Sequence, residues 1–107
     1  MIVVIGRVRS DSERREELIR LGQALARASR AEEGCISYRL YEDTETENDF
    51  VFVEEWVSQD ALELHFRTPH IAEFMRAVPA AITAPPDISF HTIASTMDLA
   101  DVSSGGS

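Results

Sequence analysis

The chain has 107 residues, a formal net charge of −9 and one cysteine, Cys35. Its length predicts a single domain, its mix of 44% hydrophobic and 27% charged residues reads as globular rather than disordered, and the lone cysteine excludes an internal disulfide or a cysteine-built zinc centre. The ten basic residues are all arginines scattered among acids, which excludes the basic stripe of a nucleic-acid binder, and no apolar stretch is long enough to span a bilayer.

The start does not resemble a signal peptide, since Arg7 and Arg9 interrupt it, so a cytoplasmic location is expected. Residues 2–9 are β-rich and alternate, Val4, Gly6 and Val8 against Ile5, Arg7 and Arg9, which predicts strand one. Ser10 and Glu13 have capping-box spacing, and a helix is predicted from there to about residue 32, with Leu18, Leu21, Leu25 and Ala28 on one stripe and Glu16–Arg20 as an i,i+4 pair. Gly34 is expected to end it in the left-handed conformation. Strand two covers 35–42, with Ile36, Tyr38 and Leu40 on one face. The acidic segment from Glu42 to Asp49 reads as a solvated hairpin loop, without the spacing of a calcium site, and no metal site is expected.

Residues 50–57 form strand three, apolar on both faces at its start and therefore central in a sheet. One face meets the chain's own helices, and a second subunit is the economical cover for the other. Ser58 caps a short helix over about 59–66, Thr68-Pro69 restarts a helix carrying Ile71, Phe74, Met75 and Val78, and residues 88–97 alternate as strand four. The domain is placed at 1–97, with a frayed tail at 98–107. The order βαββαβ predicts an α+β, ferredoxin-like fold, an antiparallel sheet with both helices on one face.

Three segments carry a resemblance: Glu33-Gly34-Cys35-Ile36-Ser37-Tyr38, Phe52-Val53-Glu54-Glu55-Trp56, and Ala61 to His70 with its His-x-x-Thr-Pro-His run. Together they resemble the antibiotic biosynthesis monooxygenase family of dimeric α/β barrels. The resemblance implies a homodimer packed sheet to sheet and a pocket between sheet and helices that takes an aromatic small molecule. In the oxygenase members the implied reaction oxidises a quinol or phenol with O2 and needs no cofactor, neither flavin nor metal. The alternatives left open are a non-catalytic ligand-binding or stress-response dimer and an isomerase using the same pocket. The haem-degrading branch carries an asparagine, a tryptophan and a histidine where this chain has Gly6, His65 and Met75, so haem degradation is not implied.

Such chemistry needs a group that takes and returns a phenolic proton near neutrality. His65, at the end of the short helix, is the catalytic candidate, against the reading that its ring only orders the helix break. His70, in the first turn of the next helix, is expected to be structural or exposed. Substrate-binding candidates are Trp56, Phe66, Phe74, Arg39 and His91. Trp56 reads either as a flat wall for a ligand or as core or dimer interface, and Phe66 and Phe74 as core that also lines the pocket. Arg39 anchors an anionic oxygen if it faces the pocket and pairs with an acid otherwise. One of Glu54 and Glu55 must be covered and needs a partner, for which an arginine of the second subunit is the plain expectation.

Overall fold

The computed structural model describes residues 1–105. Strands β1 (Ile2–Arg9), β2 (Cys35–Glu42), β3 (Asp49–Trp56) and β4 (Asp87–Thr92) form one sheet in the order β2-β3-β1-β4, every neighbouring pair antiparallel. Helices α1 (Arg15–Arg30), α2 (Gln59–His65) and α3 (Pro69–Ala77) complete the ferredoxin-like α+β fold, and a last helix, α4, spans Leu99–Gly105. The tail expected over 98–107 includes this helix, with residues 106 and 107 lying outside the described residues, and strand four is shorter than the alternation suggested. No helix among the described residues is long and apolar enough to cross a membrane.

Alternation in the central strands sorts side chains onto two faces. Ile2, Val4 and Val8 of β1 and Phe50, Phe52, Glu54 and Trp56 of β3 are buried on the inner face, against the helices. The dimer-facing alternative for the Phe50–Trp56 set is thereby corrected. α1 presents Leu18, Leu21 and Leu25, the expected stripe, onto that face. Val3, Ile5, Val51 and Val53 point to the opposite face, away from the helices α1–α3, and remain half-buried beside exposed Arg7, Arg39 and Tyr41.

Several local devices differ from their sequence reading. Ser10 does not cap α1, because its backbone is drawn into a bridge with Ile82; Asp11 instead accepts from the Glu13 amide at 2.8 Å and starts a short 3-10 turn at Ser12–Arg14. Arg20 pairs with Glu17 rather than Glu16, while Arg15 reaches across to Glu42. The β2 register shifts between Cys35 and Ser37, so Cys35 stands opposite Trp56 and Ile36 is 51% exposed, off the face of Tyr38 and Leu40. A bulge adds one residue and resets the alternation before it.

Gly34 does not adopt a positive φ. It is required for space, since a Cβ there would stand 2.3 Å from the Ala61 Cβ at the start of α2. Neither atom has a torsion to swing away, so the backbones must part. Gly34→Ala is expected to lower stability by ~1–3 kcal/mol, the usual cost of overpacking. Chemical denaturation would show it, and the added Ala61→Gly change should return part of the loss.

Candidate active site

Where α2 ends, Thr68 governs the break. Its hydroxyl donates to the His65 carbonyl at 2.7 Å and accepts the Ile71 amide at 3.4 Å, which starts α3 with Pro69 in its first turn. Ser58 caps α2 by accepting from the Ala61 amide at 3.1 Å. These two caps fix how far α2 runs and therefore where its final residue, His65, enters the core.

His65 is 1% exposed, with its ring centroid 4.5 Å from that of Trp56 and 5.6 Å from that of Tyr38. Its Nδ1 lies 2.7 Å from Glu32 Oε2, in the turn between α1 and β2, and His70 Nε2 lies 2.7 Å from the same oxygen. An ionised carboxylate only accepts, so both of those nitrogens carry the hydrogen. His65 is then left with a free lone pair on Nε2. Burial lowers the His65 pKa, and the hydrogen bond to Glu32 works against that fall.

The ligand-type atoms of Glu32, His65 and His70 all lie within 4.8 Å of one another. Ligands held at ~2.0–2.1 Å around one ion stand roughly 3 Å or more apart, however. The two 2.7 Å contacts are shorter, and among these residues they form a hydrogen-bonded cluster.

Between the sheet and the helices lies a cavity of about 40 Å³ lined by Val4, Gly6, Tyr38, Glu54, His65 and Phe66, with Phe74, Met75 and Ile88 among its other walls. It contains no arginine or lysine. Glu54 is 7% exposed and accepts from Trp56 Nε1 at 3.0 Å. Burial pushes its pKa up to about 7, opposed by the hydrogen bonds from Trp56 and Tyr38. The Tyr38 phenol, buried beside Glu54, is raised well above its ordinary value.

The structure brings His65, Phe66 and Phe74 together at this cavity. Trp56 is fully buried behind the His65 ring. Arg39 and His91 lie in register with Val53 and Val3 on the open face of the sheet, away from the cavity. His70 is half-buried, tied to Glu32. Glu54 faces the helices of its own chain rather than the side expected to meet a second subunit; Glu55 is the residue on the open face, where it accepts from the Ser37 hydroxyl at 2.6 Å. Sequence reasoning missed Glu32 and Glu54 as site residues. The available signals were an acid just before the Gly34 turn and an acid in step with Phe50, Phe52 and Trp56.

The raised pKa of Glu54 has a consequence for folding. The native chain holds this proton more tightly than the unfolded chain, so the protonated group costs nothing at low pH and the penalty grows as pH rises from the ordinary carboxylate range to about 7. Measured against Glu54→Gln, wild-type stability is expected to decline by on the order of 3 kcal/mol between pH ~4.5 and ~7 and then to level off. Parallel urea titrations of the two proteins across that window would check it.

Comparison with known proteins agrees with this architecture. The profile of the family described as "Antibiotic biosynthesis monooxygenase" matches residues 1–77. A Synechocystis relative, "Uncharacterized protein sll1783", is 41% identical over 98 residues, 92% of this chain and 67% of that protein. A Bacillus subtilis relative, "Putative monooxygenase YcnE", is 36% identical over 88 residues, 82% of this chain and 93% of that protein. The solved structure of Rv0793 from Mycobacterium tuberculosis superposes with a TM-score of 0.84 at 29% identity, covering 91% of this chain and 98% of that one. The chain belongs to the antibiotic biosynthesis monooxygenase family.

Proposed function

We propose that this protein is a monooxygenase that oxidises an uncharged quinol or phenolic aromatic with O2, the substrate itself supplying the electrons. The observation that carries the reading is a histidine, tied through Nδ1 to a carboxylate, in the wall of an apolar cavity between sheet and helices. Family membership supports it. For a quinol the reaction balances without another reductant: quinol plus O2 gives hydroxyquinone plus water. All four electrons come from the ring, so the stoichiometry asks for no flavin or metal.

His65 takes the first proton. Glu32 holds the Nδ1 hydrogen and leaves Nε2 to accept from the substrate hydroxyl. The resulting anion is electron-rich enough to reduce O2, and the apolar walls keep it from bulk water. His65→Gln and Glu32→Gln are both expected to lower kcat for oxygen uptake with a hydroquinone or anthrone panel, by about 100-fold or more for the first. Unchanged turnover in His65→Gln would remove it from the mechanism. No uptake by the wild type with any panel member that binds would shift the reading to a binding protein.

Entry of a ring requires the cavity to grow, since a cavity that admits benzene is roughly 150 Å³. Met75, Pro86 and Ile88 form its wall on one side, and the same three residues line an adjoining apolar cleft of about 610 Å³. Met75 is 48% exposed and unbranched, and it can swing. Met75→Ala is expected to lower KM for bulky aromatics with little change in kcat, read in steady-state assays.

We also infer that two copies pair through the open sheet face, where the stripe Val3, Ile5, Val51 and Val53 lies on the side away from the helices α1–α3 and stays half-buried. Val53→Arg is expected to convert a dimer to a monomer in sedimentation velocity.

A further inference from the structure

The monooxygenase reading leaves Glu54 without a task. A carboxyl taken out of water is costly unless it is paired, and a neutral side chain of the same shape would sit there more cheaply. Glu54 takes part in none of the salt bridges among the described residues, and the cavity it lines has no arginine or lysine. One oxygen accepts from Trp56 Nε1, a bond that a glutamine carbonyl would accept equally well. An unpaired acid kept in an apolar cavity is the mark of a group retained for its proton.

We propose that Glu54 is a second catalytic residue of this cavity, a carboxylic acid that protonates the peroxide formed on the substrate and then takes a proton from the ring carbon. The proposal rests on the monooxygenase reading. In the sequence it implies, the hydroxyl proton goes to His65, one electron passes from the substrate anion to O2, and the radical and superoxide join at a ring carbon to give a peroxide anion. Glu54 protonates that anion. Its carboxylate then removes the hydrogen on the same carbon; that electron pair forms the new C=O as the O–O bond breaks. The departing hydroxide takes the proton from His65 and leaves as water. Both residues return to their starting states, and quinol plus O2 has become a tautomer of hydroxyquinone plus water.

The groups that bear on Glu54 electrostatically are consistent with an acid that starts protonated near neutrality. They are Tyr38 and Cys35 of β2, Glu32 in the turn before it and Trp56 of its own strand, while His65 lines the same cavity. None supplies a fixed positive charge, and burial raises the carboxyl to about 7. The same lack of a cation selects uncharged aromatics over carboxylated ones.

Glu54→Gln keeps the shape and the acceptor for Trp56 but has no proton to give. With a hydroquinone that the wild type converts to hydroxyquinone and water, this variant is expected to lose about 100-fold or more in kcat for hydroxyquinone, in the range of acid–base catalysis. The oxygen it still consumes should appear as hydrogen peroxide with simple quinone, because the bound peroxide is no longer processed. A merely structural role for Glu54 would change stability without moving this product ratio, so an unchanged ratio and kcat would overturn the proposal. If the wild type consumes no oxygen, the monooxygenase reading fails by itself. Infrared difference spectra of wild type minus Glu54→Gln then test the residue alone: a protonated-carboxyl band that titrates near neutrality and shifts on adding hydroquinone supports a proton-donating Glu54 in contact with ligand, and its absence overturns it.

Discussion

One carboxylate oxygen serving two imidazoles limits how the chain can be assembled. Glu32 sits in the turn between α1 and β2, His65 ends α2 and His70 begins α3, and all three meet at one point with 2.7 Å contacts. Moving the α1–β2 turn or the end of α2 by an ångström would leave a nitrogen of the buried His65 without a partner, a cost of about 1–3 kcal/mol, and moving the start of α3 would strand His70 Nε2 instead. The close approach of Gly34 to Ala61 and the caps at Ser58 and Thr68 can be seen as ways of bringing these segments within reach. The cavity wall follows, because the ring held by Glu32 is also the ring that faces the cavity.

What the sequence makes legible is what repeats along it. Strands with a clear parity, and helices with an apolar stripe and a capping serine or threonine, lie close to their expected places. What stays hidden depends on a partner far along the chain. Ser10 has the spacing of a cap, but Ile82 claims its backbone. Ile36 has the parity of Tyr38 until the bulge resets it. Gly34 looks like a conformational stop and acts instead by having no side chain against Ala61. The site divides in the same way. His65, Phe66 and Phe74 are legible because a helix break next to aromatics is a local pattern. Glu54 is not, because β3 is apolar on both faces at its start and parity alone cannot say which face turns inward.

Charge is distributed with a similar economy. The net charge of −9 is carried by acids that are mostly at the surface, where water screens them, and the ion pairs of Arg20 with Glu17 and Arg76 with Glu73 are exposed. Pairs of that kind contribute little to stability. The electrostatics that matter are confined to two inner carboxyls in different settings. Glu32 is met by two N–H donors. Glu54 is met by Trp56 and Tyr38 only, without a counter-charge. Burial pushes Glu54 up to about 7.

The chain has a single tryptophan, and it stands fully buried with its ring centroid 4.5 Å from that of His65, tilted by 40°. An indole in contact with an imidazole loses its excited state more readily when the imidazole is protonated, because the cation accepts an electron from the excited ring. All tryptophan emission from this protein therefore arises beside the histidine at the cavity wall, and its lifetime follows the charge on that ring. The fold carries an optical reporter of the charge on His65, without label or substitution.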